Sequence, residues 1–346
     1  MHDRSPSSPD GGTGASAARD YLVAADDRTG AAEVAAELAR PGAPVTLTSH
    51  ALPDGSGVVD LGTRGRPASD AAAAVAALPT ATWRAHKMDS TLRGNWPEEL
   101  RAYGTRVLVV PAWPAMGRTC VDGVVRVHGR EVGAVADRLP EVVHLGNSDA
   151  LAAWLVAGTG IAAVDVPDGA TLHAVAVLSA PHHVLVAGPA GPIGACFRSR
   201  AGAALPAHAT PSPRPAFREP VLVVVGSASP EAATQVARLR AAAPHVRVLA
   251  APPAAGDLHP EVAHQLAEEA RPLLHRAGTV VIVGGDTAAA LLGPAPRLVG
   301  GYAAPGMPWS VDADGGGPVV VTKAGSFGGP DALVDLLLDP SVGQTA

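Results

Sequence analysis

Apolar residues along the chain come in short runs, and nearly every run ends in a cluster of charged, hydroxyl or glycine residues. Residues 21–25 are apolar, Asp26-Asp27 follow, an alanine-rich stretch with helical spacing occupies 30–39, and 45–48 is apolar again. That order predicts a β-α-β opening. The alternation continues with a strand at 57–61, a helix near 68–78 and strands at 106–110, 161–166 and 183–187. Strands filled with Val, Leu and Ala and separated by helices predict a parallel sheet covered on both faces.

Residues 201–220, AGAALPAHATPSPRPAFREP, lack periodicity and are dense in Pro and Ala, which marks a linker. Beyond it the alternation restarts, with strands at 221–225, 246–250 and 279–283 and helices at 231–242, 260–274 and 288–292. A chain of 346 residues exceeds the roughly 300 at which single cores stop growing. The reading is an α/β protein of two domains, each with a mainly parallel sheet flanked by helices. A disordered tail is expected at 1–19, an N-terminal domain at 20–200, a linker at 201–219 and a C-terminal domain at 220–346.

Composition narrows the class of ligand. A net charge of −6, 3% aromatic residues and no basic run argue against a nucleic-acid partner. No apolar run approaches the roughly 18 residues of a membrane span, and the opening residues lack the pattern of a secretory signal. Two cysteines, Cys120 and Cys196, make neither a disulfide framework nor a zinc site. The cytoplasm is the expected compartment and a small molecule the expected ligand. Of 26 basic residues only Lys87 and Lys323 are lysines. Where arginine fills the ordinary surface roles, a remaining lysine marks a place that needs a compact ammonium, or it is a chance survivor.

In open parallel sheets ligands bind beyond the carboxyl ends of the strands, so the polar clusters there are the candidates. Asp26-Asp27 lies at such an end; a carboxylate there accepts a hydroxyl proton or holds magnesium, unless Asp27 or Thr29 only caps the helix. Arg64, on the loop after 57–61, offers a fork for a carboxylate, or is a solvated surface arginine. The segment Lys87-Met88-Asp89-Ser90-Thr91-Leu92-Arg93-Gly94-Asn95 gathers cations, an acid, hydroxyls and an amide. It suits several oxygens of a polyol acid and the charge of a phosphoryl group, or it is a helix capped by Asp89 or Ser90. A rigid Pro-rich turn at 111–119 presents Arg118. In the second domain Ser227, the run Gly284-Gly285-Asp286-Thr287, and Lys323 with Gly325 stand in glycine-containing turns that let backbone amides approach phosphate. Neither a Walker motif nor a dinucleotide fingerprint is present, and the histidines form no metal pattern.

Taken in order, ADDRTGA, TRGR, KMDSTLRGN, PAWPAMGRT, GSAS, GGDTA, PGMP and TKAGSFGGPDAL resemble the motif series of the four-carbon acid sugar kinases, from Ala25 to about Leu333. The resemblance implies an N-terminal domain that binds a sugar acid, a C-terminal domain that binds ATP, and phosphoryl transfer to a terminal hydroxyl in the cleft between them. It implies ATP and Mg²⁺ as cofactors, with no metal ligands assigned, and a homodimer is compatible with it. Carried over by motif, Asp27, Arg64, Lys87, Met88, Asp89 and Ser90 would meet the substrate, and Asp26 and Arg93 in the same segments are candidates beside them. Ser227, Gly284, Gly285, Asp286, Thr287, Lys323 and Gly325 would meet ATP. Asp27, Lys87 and Asp89 would be catalytic, with Asp27 or Asp89 as general base. Arg28 stands where the family often has phenylalanine, Ser326 where glycine or asparagine is frequent, and the segment from Gln235 to Gly284 is shorter than usual. The alternatives are a ligand sensor of the same fold that has lost turnover and a nicotinamide-dependent hydroxy-acid dehydrogenase, the latter disfavoured by the missing fingerprint.

Overall fold

The computed structural model describes residues 19–202, 214–252 and 260–338. Most of the expected tail and linker therefore lies outside the described residues. Arg19, at the edge of that tail, is anchored: its Nη2 donates to the Pro53 carbonyl at 3.0 Å.

The N-terminal half contains strands β1 (Tyr21–Ala25), β2 (Val45–Ser49), β3 (Gly57–Asp60), β4 (Trp83–Lys87), β5 (Val107–Val109), β6 (Arg118–Val121), β7 (Val124–Val127), β8 (Arg130–Ala134), β9 (Val143–Leu145), β10 (Ile161–Val164) and β11 (Leu185–Gly188). Its helices are α1 (Arg28–Leu38), α2 (Ala68–Ala76), α3 (Trp96–Ala102), α4 (Val135–Arg138), α5 (Ser148–Ala157), α6 (Gly169–Ser179) and α7 (Ala190–Arg200). The C-terminal half contributes β12 (Val221–Val225), β13 (Arg247–Ala250), β14 (Thr279–Val283), β15 (Arg297–Ala304), β16 (Met307–Asp312) and β17 (Val319–Lys323). Helices α8 (Pro230–Ala242), α9 (Pro260–Leu274), α10 (Gly285–Leu292) and α11 (Ala332–Leu338) complete it. No described helix is long and apolar enough to cross a membrane.

The alternating direction of side chains along a strand sorts the core into layers. On β1, Val23 and Ala25 enter one cluster while Leu22 and Ala24 enter another under α2. On β12, Val221, Val223 and Val225 face one cluster, and Leu222 and Val224 face another. Burial on both faces is why these strands read as unbroken apolar runs.

The α/β class expected from sequence holds, and the two mainly parallel sets of strands prove continuous. They form a 14-stranded sheet in the order β13-β12-β14-β17-β16-β15-β2-β3-β1-β4-β11-β5-β10-β9. The join is antiparallel, with Arg297, Leu298 and Val299 of β15 opposite Leu47, Thr46 and Val45 of β2. The antiparallel members β15 and β16 escaped the sequence reading because Gly300, Gly301 and Pro308 interrupt their apolar pattern. A separate three-stranded meander, β6-β7-β8, carries charged residues on a half-exposed surface and was likewise not anticipated. Sheets twist by roughly 20–25° per strand. The two parallel sets run in opposite directions across the join.

Candidate active site

The carboxyl end of β1 delivers Asp26 and Asp27, and both meet Arg64. Arg64 takes Asp26 in a two-pronged pair, Nε to Oδ2 at 2.8 Å and Nη2 to Oδ1 at 2.9 Å. Its other edge holds Asp27, Nη2 to Oδ1 and Nη1 to Oδ2, both at 2.9 Å. Asp26 is fully buried; burial pushes its carboxyl up to about 6, against the pull of Arg64 and with the charge of Asp27 adding to the rise. Asp27 also caps α1, accepting from the Gly30 amide at 2.9 Å. It is thus both the helix cap and a wall of the cavity described below.

Lys87 ends β4 next to these acids. Its Nζ donates to the Met88 carbonyl at 3.0 Å, and Gly30 leaves it room, since a Cβ there would lie 2.6 Å from Asp27 Oδ1 and 2.9 Å from Lys87 Nζ. Residues 89–95 form turns rather than a helix, and α3 begins only at Trp96. Asp89 organises the turn: it accepts from the Thr91 amide at 3.0 Å and hydroxyl, and from Arg93 Nε at 3.1 Å and Nη2 at 2.9 Å. Burial opposes ionisation of Asp89, but the Arg93 hydrogen bonds, the Arg64 charge and Thr91 hold its carboxyl far below the usual range. Behind this layer His86 lies between Glu99 and Tyr103, each at 3.1 Å, and Thr63 donates to Glu99. That buried chain ties α3 to the loop carrying Arg64.

In the C-terminal half the three glycine-containing turns converge. A Cβ on Gly226 would overlap Thr287 Oγ1, one on Gly325 would overlap Ser227 Oγ, and one on Gly284 would lie 3.6 Å from the Ser227 nitrogen. Gly284 has φ of 115°, a backbone that side chains rarely adopt, and it caps α10. Lys323 is fully buried at the end of β17; its Nζ donates to the carbonyls of Ala324 at 2.8 Å and Gly325 at 3.1 Å. Burial lowers its ammonium pKa to about 8, with Glu231 opposing.

The halves meet at α1 and α10. A Cβ on Gly285 would lie 2.9 Å from Thr29 Oγ1 and 3.3 Å from Asp27 Oδ2, so the start of α10 faces the Asp27 carboxylate across the seam. Tyr302 on β15 adds a hydrogen bond to the Glu33 carbonyl at 3.0 Å. At this seam opens a cavity of about 590 Å³, lined on one side by Asp27, Lys87, Asp89 and Arg118 and on the other by Ala324, Ser326 and Phe327.

Of the residues expected at the substrate, Asp27, Lys87, Asp89, Ser90 and Arg93 line this cavity. Asp26, Arg64 and Met88 do not line it. The Met88 side chain is fully buried in the apolar core. Asp26 lies behind Asp27, and the fork of Arg64 is filled by these two acids, so neither offers a free group. Arg28, outside the expected set, does not line the cavity: its Nη1 donates to Ser49, which donates to Asp60 at 3.2 Å. In the nucleotide set, Ser227, Gly284, Gly285, Thr287 and Gly325 pack together, whereas Asp286 is exposed. Lys323 braces the 324–325 turn from beneath rather than presenting its ammonium. The cavity also contains groups outside the expected set: Glu33, Trp113, His128 and Phe327. Burial raises the carboxyl of Glu33, against the charge of Lys87. Glu33 follows Gly30 by three positions, a helical spacing that places both on one face; this was the signal in the sequence. Among the described residues no group of three or more His, Cys, Asp or Glu side chains is arranged to hold a metal ion.

Two family models match this chain. Residues 21–144 match the model of a sugar-binding N-terminal domain, and residues 253–333 that of a nucleotide-binding C-terminal domain. The chain is 36% identical over 125 residues to a D-threonate kinase of Cupriavidus necator, covering 32% of this chain and 30% of the relative. It is 32% identical over 262 residues to a D-threonate kinase of Salmonella typhimurium, covering 62% of this chain and 59% of the relative. The chain thus spans less than two thirds of the length of these relatives. A solved protein from Salmonella typhimurium LT2, 19% identical, shares the fold with a TM-score of 0.70 over 92% of this chain and 99% of its own. With both domain types matched in order on one chain and the motif series running through them, the chain belongs to the four-carbon acid sugar kinase family.

Proposed function

We propose that the protein is an ATP-dependent kinase acting on the terminal hydroxyl of a four-carbon sugar acid, with threonate the leading candidate from the names of its relatives. The observation that carries the reading is a single cavity lined by Asp27 and Lys87 from the N-terminal half and by Ala324 and residues 326–329 from the C-terminal half, with the start of α10 packed against Asp27 beside it. Phosphoryl transfer needs mainly positioning and charge compensation, and this cavity holds groups suited to both.

In this reading the substrate oxygen bonds to the γ-phosphorus of ATP, the bond from that phosphorus to the ADP oxygen breaks, and the hydroxyl proton passes to Asp27. Both acids accept hydrogen bonds from arginine, and Asp27 is preferred to Asp89 because Arg93, Arg64 and Thr91 hold the Asp89 carboxyl far below the usual range, so that it resists protonation. Lys87 offsets charge on the transferring group, and Arg64 fixes the orientation of Asp27. The overlap that any Cβ would create at Gly226 and Gly325 keeps the turns bare, which suits backbone amides facing phosphate oxygens. Mg²⁺ carried in on the nucleotide would supply charge compensation to its phosphates. Such an ion would be held mainly by the nucleotide and take at most one or two protein carboxylates, of which Asp27, Glu33 and Asp89 stand on the cavity wall.

ADP release measured with a panel of four-carbon acids tests the proposal. Threonate or a close relative should support turnover, and Asp27→Asn should lower kcat by about 100-fold or more with acid binding retained. ATP and acid binding with no ADP formed would make the protein a ligand sensor instead.

A further inference from the structure

A four-carbon acid must place its carboxylate against a cation, and the two arginines that sequence motifs offer for this are already engaged. Arg64 is held by Asp26 and Asp27 on both edges, and Arg93 is paired with Asp89. Lys87 sits in the acid cluster by Gly30, close to where α10 approaches. That leaves Arg118, which lines the cavity and forms no ion pair among the described residues.

Its guanidinium is pinned but not used up. Nε donates to Ser90 Oγ at 2.9 Å and Nη1 to the Met116 carbonyl at 2.8 Å, while Nη2 has no hydrogen-bond partner among the described residues. The backbone beneath is equally fixed. Arg118 and Trp113 exchange two backbone hydrogen bonds, at 3.0 and 3.1 Å, around a 3₁₀ turn at Pro114–Met116. Gly117 closes that turn with φ of 68°, and the His128 ring covers it so closely that a Cβ there would overlap. The result is a preorganised planar cation with an open edge on the cavity, walled by Trp113 and Val127.

Resting on the kinase reading above, the geometry points to Arg118 as the group that binds the substrate's carboxylate, so that Arg118 selects acids over uncharged polyols. The phosphates are the competing anion. They belong nearer Lys87, because Lys87 and Asp27 both lie against Gly30 and Asp27 in turn lies against the start of α10, whereas Arg118 is tied to Ser90 and the 113–118 turn. A guanidinium also matches the plane of a carboxylate, which a lysine does not.

The test compares threonate with threitol, the uncharged four-carbon polyol, in the full-length wild type and in Arg118→Ala and Arg118→Lys. Loss of a charge-assisted hydrogen bond should lower kcat/KM for threonate about 10-fold to 100-fold in Arg118→Ala. Slow turnover of threitol and KM for ATP should stay within about twofold, and Arg118→Lys should recover only part of the loss. Circular dichroism and threitol turnover report whether each variant is folded, and threonate affinity by calorimetry gives a second readout free of chemistry. Equal losses for threonate and threitol, or a selective rise in KM for ATP, would overturn the assignment and give Arg118 to the phosphates. If the wild type neither binds nor phosphorylates threonate while still binding another four-carbon acid, the same pair of variants is measured on that acid. If it binds none, the kinase reading itself fails and the inference falls with it.

Discussion

Lys323 shows how a single residue trades stability for a site. It is fully buried, its only hydrogen-bond acceptors among the described residues are two carbonyls of the turn it braces, and its pKa is down at about 8 from 10.5 because burial disfavours the charge. The unfolded chain therefore binds that proton more tightly than the folded one. Stability contributed here is fully present only above the unfolded value and falls as pH drops from about 10.5 to about 8, below which the loss is constant. Lys323→Met removes this titration. Urea unfolding of both proteins should show the variant losing about 2 to 3 kcal/mol relative to wild type between pH 7 and pH 10.5, while KM for ATP rises at pH 7. A pH-independent difference would mean that the ammonium is not desolvated in the fold. The scarcity of lysine did single out Lys87 and Lys323 in the sequence, and both lie at strand ends by the seam. What the sequence did not reveal was orientation. Arg64 and Arg93 read as free forks because composition does not say which carboxylates will fold against them, and Met88 shares a motif with ligands while its side chain turns into the core.

The site depends on where elements begin rather than on their interiors. Strand β1 ends and α1 starts at Asp27; β14 ends and α10 starts at Gly284. Both helix starts meet, with Thr29 Oγ1 buried and without a partner at the contact. Gly285→Ala should leave the helix itself as stable or more so, since alanine is the better helix former. Its Cβ, 2.9 Å from Thr29 Oγ1, forces the two helix starts apart by a few tenths of an ångström. We expect kcat/KM to fall about 10-fold, about 1.4 kcal/mol, and the double variant with Thr29→Ala to recover most of it. No recovery would mean that the α1–α10 spacing does not set the rate. The strand–helix alternation that frames these starts was legible, because parallel strands buried on both faces leave continuous apolar runs. The meander that supplies Arg118 and His128 was not, because exposed strands such as β8 open on Arg130 and Glu131 and carry only Val132 and Ala134 as apolar positions.

At the scale of the molecule, the division into halves read from the 201–219 segment coexists with one sheet. Val299 of β15 is packed in the apolar cluster of the N-terminal half, and Arg297 beside it is nearly fully buried. Cutting the chain in the linker would strip β2 from β15, leaving unpaired backbone groups at Arg297, Leu298 and Val299 next to an exposed apolar side chain. Unpaired, apolar strand edges recruit other edges. A fragment of residues 214–346 should therefore self-associate at micromolar concentration in sedimentation velocity, and Val299→Lys in that fragment should return it toward monomer by placing a charge on the edge. The same substitution in the full-length chain should instead destabilise it by several kcal/mol, since it buries an unpaired charge in the N-terminal core. A 214–346 fragment that stays monomeric, or a full-length Val299→Lys protein of unchanged stability, would show that the β2–β15 join contributes little. In that event the two halves would hold their cavity through α1, α10 and the Tyr302–Glu33 hydrogen bond alone.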